Sequence, residues 1–228
     1  MYGFFRPGTL QETLLKNRWC ELFILGLFQC SSQFCLGSML AAMNSHLQTC
    51  AVLGQLKMDK YDEVHEQINS LQVLLRKVED MKLNSREFGY LKIISFTATD
   101  TPSTVDSESL RGQQAAAYQE LYELIQSSAD GSDTSGDERK PALSTVERYS
   151  QLLLILPALR SFSRQILVEL FFSGLIGNVQ IENVIPFILK MDVLQIFGQS
   201  GDAVGGTGNP ALSLAAVVGS HVTSANKL

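Results

Sequence analysis

Charge is missing from one long stretch of this sequence: no Asp, Glu, Lys or Arg occurs from Leu22 to Leu56. The gap raises the question of a membrane span. Ser31, Ser32, Gln33, Ser38, Asn44, Ser45, Gln48 and Thr49 interrupt it, and the apolar block Leu22–Phe28 is far shorter than the roughly 20 residues a span needs. The stretch reads instead as helix buried on all sides. Dense basic runs are also missing, and the net charge is −5, which excludes nucleic-acid binding by these residues themselves. Cysteine is scarce. Cys20, Cys30, Cys35 and Cys50 form no C-x-x-C pair, so neither a zinc module nor another metal site is expected. Mostly apolar surroundings read as reduced thiols in a reducing compartment. Met1–Thr9 holds Arg6, Pro7 and Gly8 without an apolar segment, so no signal peptide is expected.

Catalytic patterns are absent too. His46, His65 and His221 are scattered, and there is no G-x-S-x-G elbow or paired-carboxylate motif. The GGTG at Gly205–Gly208 has no Gly-Lys-Ser/Thr after it and is no phosphate loop. The acidic run 127–141 lacks the EF-hand pattern. Neither an enzyme nor a cofactor is expected. Glu21 and Glu87 sit in apolar contexts and read as structural ion-pair partners, with Arg148 or Arg160 as candidate cations.

What the sequence does have is helical periodicity. With 45% hydrophobic residues in 228, a sizeable single core is possible. Thr9–Cys30 predicts a helix, with Thr9 and Glu12 in a capping-box pattern. Cys35–Cys50 is ambiguous between a short strand pair and a short helix. Lys60–Met81 predicts an amphipathic helix through Val64, Ile68, Leu71, Leu75 and Val78. Asn84 caps the next one, with Glu87 at the third position, and it ends before Thr99–Pro102. Another covers Ser107–Gln126. Residues 127–143 read as an acidic Ser/Gly loop, and 198–228 as a disordered Gly/Ala/Ser tail.

Between these lies Thr145–Met191. Leu152, Ile155, Leu159, Phe162, Ile166 and Leu170 recur every three or four residues, giving one apolar stripe on a long helix. Pro157 should kink or break it. Gly174, Gly177 and Asn178 should stop it. A short amphipathic segment, Ile181–Met191, follows.

These residues resemble a family. LLLILPALRS (Leu152–Ser161) and LFFSGLIGN (Leu170–Asn178) are similar to the tenth and eleventh helices of nuclear-receptor ligand-binding domains of the retinoid X receptor subfamily. LQETLLKNRWCELF (Leu10–Phe23) resembles the signature across the fourth and fifth helices, and EFGYLKIISF (Glu87–Phe96) the eighth. VIPFILKM, LFILGLFQC and AAMNSHLQ point more narrowly to the testicular receptor orphan group and its insect relatives. The resemblance implies an all-α fold over residues 1–197: a three-layer antiparallel helical sandwich, here lacking its first helices, since only FFRPG remains of the third. The family's zinc modules are absent, so direct DNA contact is expected only of a longer parent.

The resemblance also implies sites. The ligand pocket carries over to Cys20, Phe23, Leu27, Cys30, Leu40, Ala41, Ile166 and Leu170. A small, unidentified lipophilic ligand is one reading; the other is that these side chains pack with no ligand. Cys30 stands where retinoid-binding members carry an arginine, so an acidic lipid would lose a charge-assisted anchor worth roughly 1.5–3 kcal/mol. The coregulator groove maps to Gln11, Lys16, Val184, Ile185, Phe187 and Ile188. Ile181–Met191 is then the family's switch helix, with Phe187 in place of the clamp glutamate. Gln151, Leu154, Ala158, Arg160, Ser161, Arg164 and Gln165 resemble the dimer face. Expected partners are coregulators with leucine-rich helices and a second receptor chain, either the same or retinoid X receptor-like. The leading expectation is a nuclear transcription regulator. Its alternative is a truncated fragment, acting as a dominant-negative dimerisation partner or not at all; a helical enzyme or lipid carrier is a distant third.

Overall fold

A computed structural model describes residues 10–98, 107–130, 144–177 and 179–190. All regular structure among them is helical, as the sequence patterns require. The helices are α1 (Leu10–Gln29), α2 (Ser31–Phe34), α3 (Leu36–Val52), α4 (Met58–Met81), α5 (Ser85–Phe96), α6 (Ser107–Asp130), α7 (Thr145–Leu153), α8 (Ile155–Leu159), α9 (Arg164–Phe171), α10 (Ser173–Ile176) and α11 (Ile181–Lys190). They fall into two compact units, residues 18–163 and residues 1–17 with 164–228.

In the larger unit α3 packs on α4, α5 on α6, and α6 on α7. Its core is aliphatic. Ile24 and Leu25 of α1, Leu36 and Leu40 of α3, Ile68 and Leu71 of α4, Leu91 and Ile94 of α5, Leu121 of α6, and Leu152, Ile155 and Leu159 of α7 and α8 are almost fully closed to solvent. The helices that apolar spacing predicted, such as α4 with Val64, Ile68, Leu71, Leu75 and Val78, turn those stripes inward. The uncharged stretch after Leu22 is helix in α1 and α3, which settles the ambiguity at Cys35–Cys50, but it is not buried on all sides: of α3 only Leu36 and Leu40 are buried. No described helix is long and apolar enough to cross a membrane.

Two buried carboxylates are paired. Glu87 closes a capping box at the start of α5: the Asn84 side chain accepts from the Glu87 amide, and the Glu87 side chain accepts from the Asn84 amide at 2.8 Å. The same carboxylate takes two bonds from Arg148 of α7, Nε to Oε1 at 2.8 Å and Nη2 to Oε2 at 2.9 Å. Arg148 also donates to the Met81 carbonyl at the end of α4, at 3.1 Å. One guanidinium therefore joins three helices, and the expected Glu87 partner is Arg148. Glu21 pairs within its own helix, accepting from Arg18 at 3.2 Å, while Arg18 also donates to the Ala98 carbonyl at 3.3 Å. Nearby on α7, the Tyr149 hydroxyl donates to the Tyr118 carbonyl at 3.3 Å. Burial, and then the neighbouring Tyr118, pushes its phenol above the ordinary value of 10.0.

The break expected at Pro157 is found, and two other boundaries differ from the sequence expectation. The long helix over the apolar stripe is segmented: α7 ends at Leu153, α8 ends at Leu159, and α9 begins at Arg164. The first break has a direct cause. A proline ring clashes with the carbonyl four residues earlier and offers it no amide hydrogen; for Pro157 that residue is Leu153. The stripe residues stay inward in each unit: Leu152, Ile155, Leu159 and Phe162 are buried in the larger, and in the smaller Ile166 is buried and Leu170 half-buried. The stop near Gly174 begins earlier, at Phe172, and Gly177 at φ +58° closes α10. Finally, α6 runs to Asp130, four residues into the stretch read as loop. The rest of that loop and the tail from Gly198 lie outside the described residues.

Candidate functional site

The smaller unit gathers every residue expected in the coregulator groove. Gln11 and Lys16 lie on the first turns of α1, and Val184, Ile185, Phe187 and Ile188 lie on α11. Lys16 bonds Glu12 one turn earlier at 2.6 Å, an ordinary i,i+4 helix pair. The α11 residues divide by exposure. Ile181, Val184 and Ile185 are buried, whereas Phe187, Ile188 and Leu189 are 41%, 42% and 45% exposed. That is three consecutive large apolar side chains half open to solvent at the end of a short amphipathic helix. Pro186 does not end α11; it is the sixth of ten residues and the helix continues through it. It cannot donate to the Glu182 carbonyl.

Arg164 ties this unit together. Its Nη1 donates to the Lys16 carbonyl at 3.3 Å and its Nη2 to the Asn17 carbonyl at 2.6 Å. It also faces Glu182 of α11 at 3.8 Å, with both side chains partly exposed. One side chain thereby links α9 to α1 and faces α11. Nothing in the spacing of a sequence could reveal a contact across nearly 150 positions.

The remaining expected residues are distributed between the units. Of the pocket set, Cys20 and Leu40 are buried in the larger unit, Phe23, Leu27 and Cys30 are half-buried there, and Ala41 is exposed. Ile166 is buried and Leu170 half-buried in the smaller unit. Of the dimer set, Gln151, Leu154, Ala158, Arg160 and Ser161 belong to the larger unit, and Arg164 and Gln165 to the smaller. Leu154 is 58% exposed. Ala158, Ser161 and Phe162 line a cleft of about 520 Å³ opposite His65, Asn69 and Val73 of α4. Gln151 lines a second cleft, of about 600 Å³, with Val73, Arg76 and Asp80. No group of three or more His, Cys, Asp or Glu side chains among the described residues could hold a metal ion.

The described residues form a helical domain whose two buried carboxylates are ion-paired and which includes a short amphipathic helix, α11. The family model for the ligand-binding domain of nuclear hormone receptors matches residues 7–176. The chain belongs to that family, whose members are receptors and not enzymes. Among curated proteins it is 36% identical over 180 residues to orphan steroid hormone receptor 2 of Strongylocentrotus purpuratus, covering 79% of this chain and 29% of that one. It is 35% identical over 187 residues to human nuclear receptor subfamily 2 group C member 2, covering 82% and 29%. Human group C member 1 is 34% identical over 192 residues, covering 82% and 30%. These are the testicular receptor orphans to which the sequence motifs pointed. The chain spans about three-tenths of the length of these relatives.

Proposed function

We propose that this chain is the regulatory domain of an orphan nuclear receptor that acts in the nucleus on RNA polymerase II transcription, and that it recruits leucine-rich coactivator helices weakly. One observation carries the second half. The exposed end of α11 presents Phe187, Ile188 and Leu189, while its first-turn carboxylate, Glu182, faces Arg164. The family resemblance puts Phe187 where a glutamate would cap one end of a bound helix. An apolar ring cannot accept from the free amides at a helix N-terminus, where a carboxylate is favoured.

The test is peptide binding. Phe187→Glu should tighten the binding of a leucine-rich coactivator peptide about tenfold or more, since a charge-assisted hydrogen bond contributes roughly 1.5–3 kcal/mol. Fluorescence anisotropy reads it directly. Micromolar or tighter binding by the unaltered chain, with no gain from Phe187→Glu, would defeat the proposal.

Dimerisation, with itself or with a retinoid X receptor-like chain, is proposed through Gln151, Leu154, Ala158, Arg160, Ser161, Arg164 and Gln165. Exposed Leu154 and the adjoining clefts support it. Arg160→Glu should shift sedimentation toward monomer at a given concentration; an unchanged profile would mean that another face is used. A small lipophilic ligand is the accompanying proposal, with no retinoid-type acid anchor because Cys30 is not a cation.

A further inference from the structure

The helix α3 carries a pair of side chains that the receptor function leaves unused. His46 and Cys50 are four residues apart on this helix, and the Cys50 Sγ lies 3.6 Å from the His46 Nε2. His46 is exposed and Cys50 half-buried, so solvent reaches both. We propose that this pair is a surface chelate for a thiophilic divalent cation, zinc or cobalt, with water completing the coordination.

The argument is geometric first. Zinc binds thiolate sulfur at about 2.3 Å and imidazole nitrogen at about 2.0 Å, and a tetrahedral angle between those bonds sets sulfur and nitrogen about 3.5 Å apart. The observed separation of 3.6 Å is close to one edge of such a site. Helix geometry is the reason: residues four apart project from the same face, one above the other. The chemistry agrees. A thiolate with an imidazole suits zinc and cobalt, whereas magnesium and calcium take oxygen ligands. On binding, the thiol releases its proton to solvent and the imidazole binds through its neutral Nε2. Between Leu36 and Val52 there is no Asp, Glu, Lys or Arg, so no charged side chain of this helix competes for either group. The nearby hydroxyls are engaged elsewhere: Ser45 donates to the Ala41 carbonyl at 3.1 Å and Thr49 to the Ser45 carbonyl at 3.0 Å.

Cobalt is the probe, added to the whole chain under a reductant that does not bind metal. The expected result is one equivalent of Co²⁺ bound with a thiolate-to-cobalt charge-transfer band, displaced by Zn²⁺. Cys50→Ser should abolish the band, His46→Ala should weaken binding tenfold or more, and Cys35→Ser should leave both unchanged. All three positions are open enough to solvent that thermal melts of the metal-free variants should match that of the unaltered chain. Absence of the band, its persistence in Cys50→Ser, or equal affinity in His46→Ala would overturn the proposal.

Discussion

Replacing Arg148 with alanine should destabilise the larger unit by about 3 kcal/mol. Breaking a buried ion pair by removing one partner costs roughly 3–5 kcal/mol, because the remaining charge is left without compensation. Here the stranded group is the Glu87 carboxylate, whose side chain is 2% exposed against 25% for Arg148. The partial exposure of the arginine lets water approach and places the effect at the lower end of that range. The Met81 carbonyl at the end of α4 loses a donor as well. For a chain of this size about 1 kcal/mol moves the melting temperature by roughly 2–4 °C, so a thermal melt followed by circular dichroism should drop by about 6–12 °C. Adding Glu87→Gln to the variant should restore part of the loss, since the buried charge is then gone. A melt lowered by less than a couple of degrees would show that the pair is hydrated and structurally idle.

The second expectation sets two neighbouring leucines against each other. Leu152 is fully buried and Leu154 is 58% exposed. Leu152→Ala should cost about 2–5 kcal/mol, the sum of lost burial and the cavity left behind. Leu154→Ala should change stability by no more than about 0.5 kcal/mol, as for other exposed positions. Denaturant midpoints at constant slope measure both. Equal losses would mean that the apolar stripe does not face the core as described. If Leu154→Ala leaves stability intact and weakens self-association, the dimer face gains direct support.

Much of this fold could be read from periodicity. The stripes of α4, α6 and the α7–α9 run were legible because each repeats every three or four residues, and the amide donors at the start of α5 announced themselves through Asn84 and Glu87. The pairing of Glu87 with a cation was legible as a need, since a carboxylate in apolar surroundings requires one. Its identity was not, because Arg148 and Arg160 are equally basic and only packing brings one of them within reach. The break at Leu153 and Leu154 was anticipated through Pro157, but its position follows from which carbonyl the ring meets. The continuation of α11 through Pro186 went against the local propensity. The buried Ile181, Val184 and Ile185 offer the compensation: their packing holds a helix that proline alone would weaken.

The sequence by itself determined the fold class and the family, because apolar spacing and short motifs are properties of neighbours along the chain. Tertiary structure decided which side chains come together. The α1 and α11 residues expected in a coregulator groove share one compact unit, with Arg164 holding two backbone carbonyls of α1 and facing Glu182 of α11. The structure also decided what Cys35–Cys50 becomes. As a strand it would have set His46 and Cys50 about 13 Å apart, at roughly 3.3 Å per residue; as helix it brings their side chains into contact. A sequence specifies which residues can form a helix; which side chains then meet is left to the geometry of the folded chain.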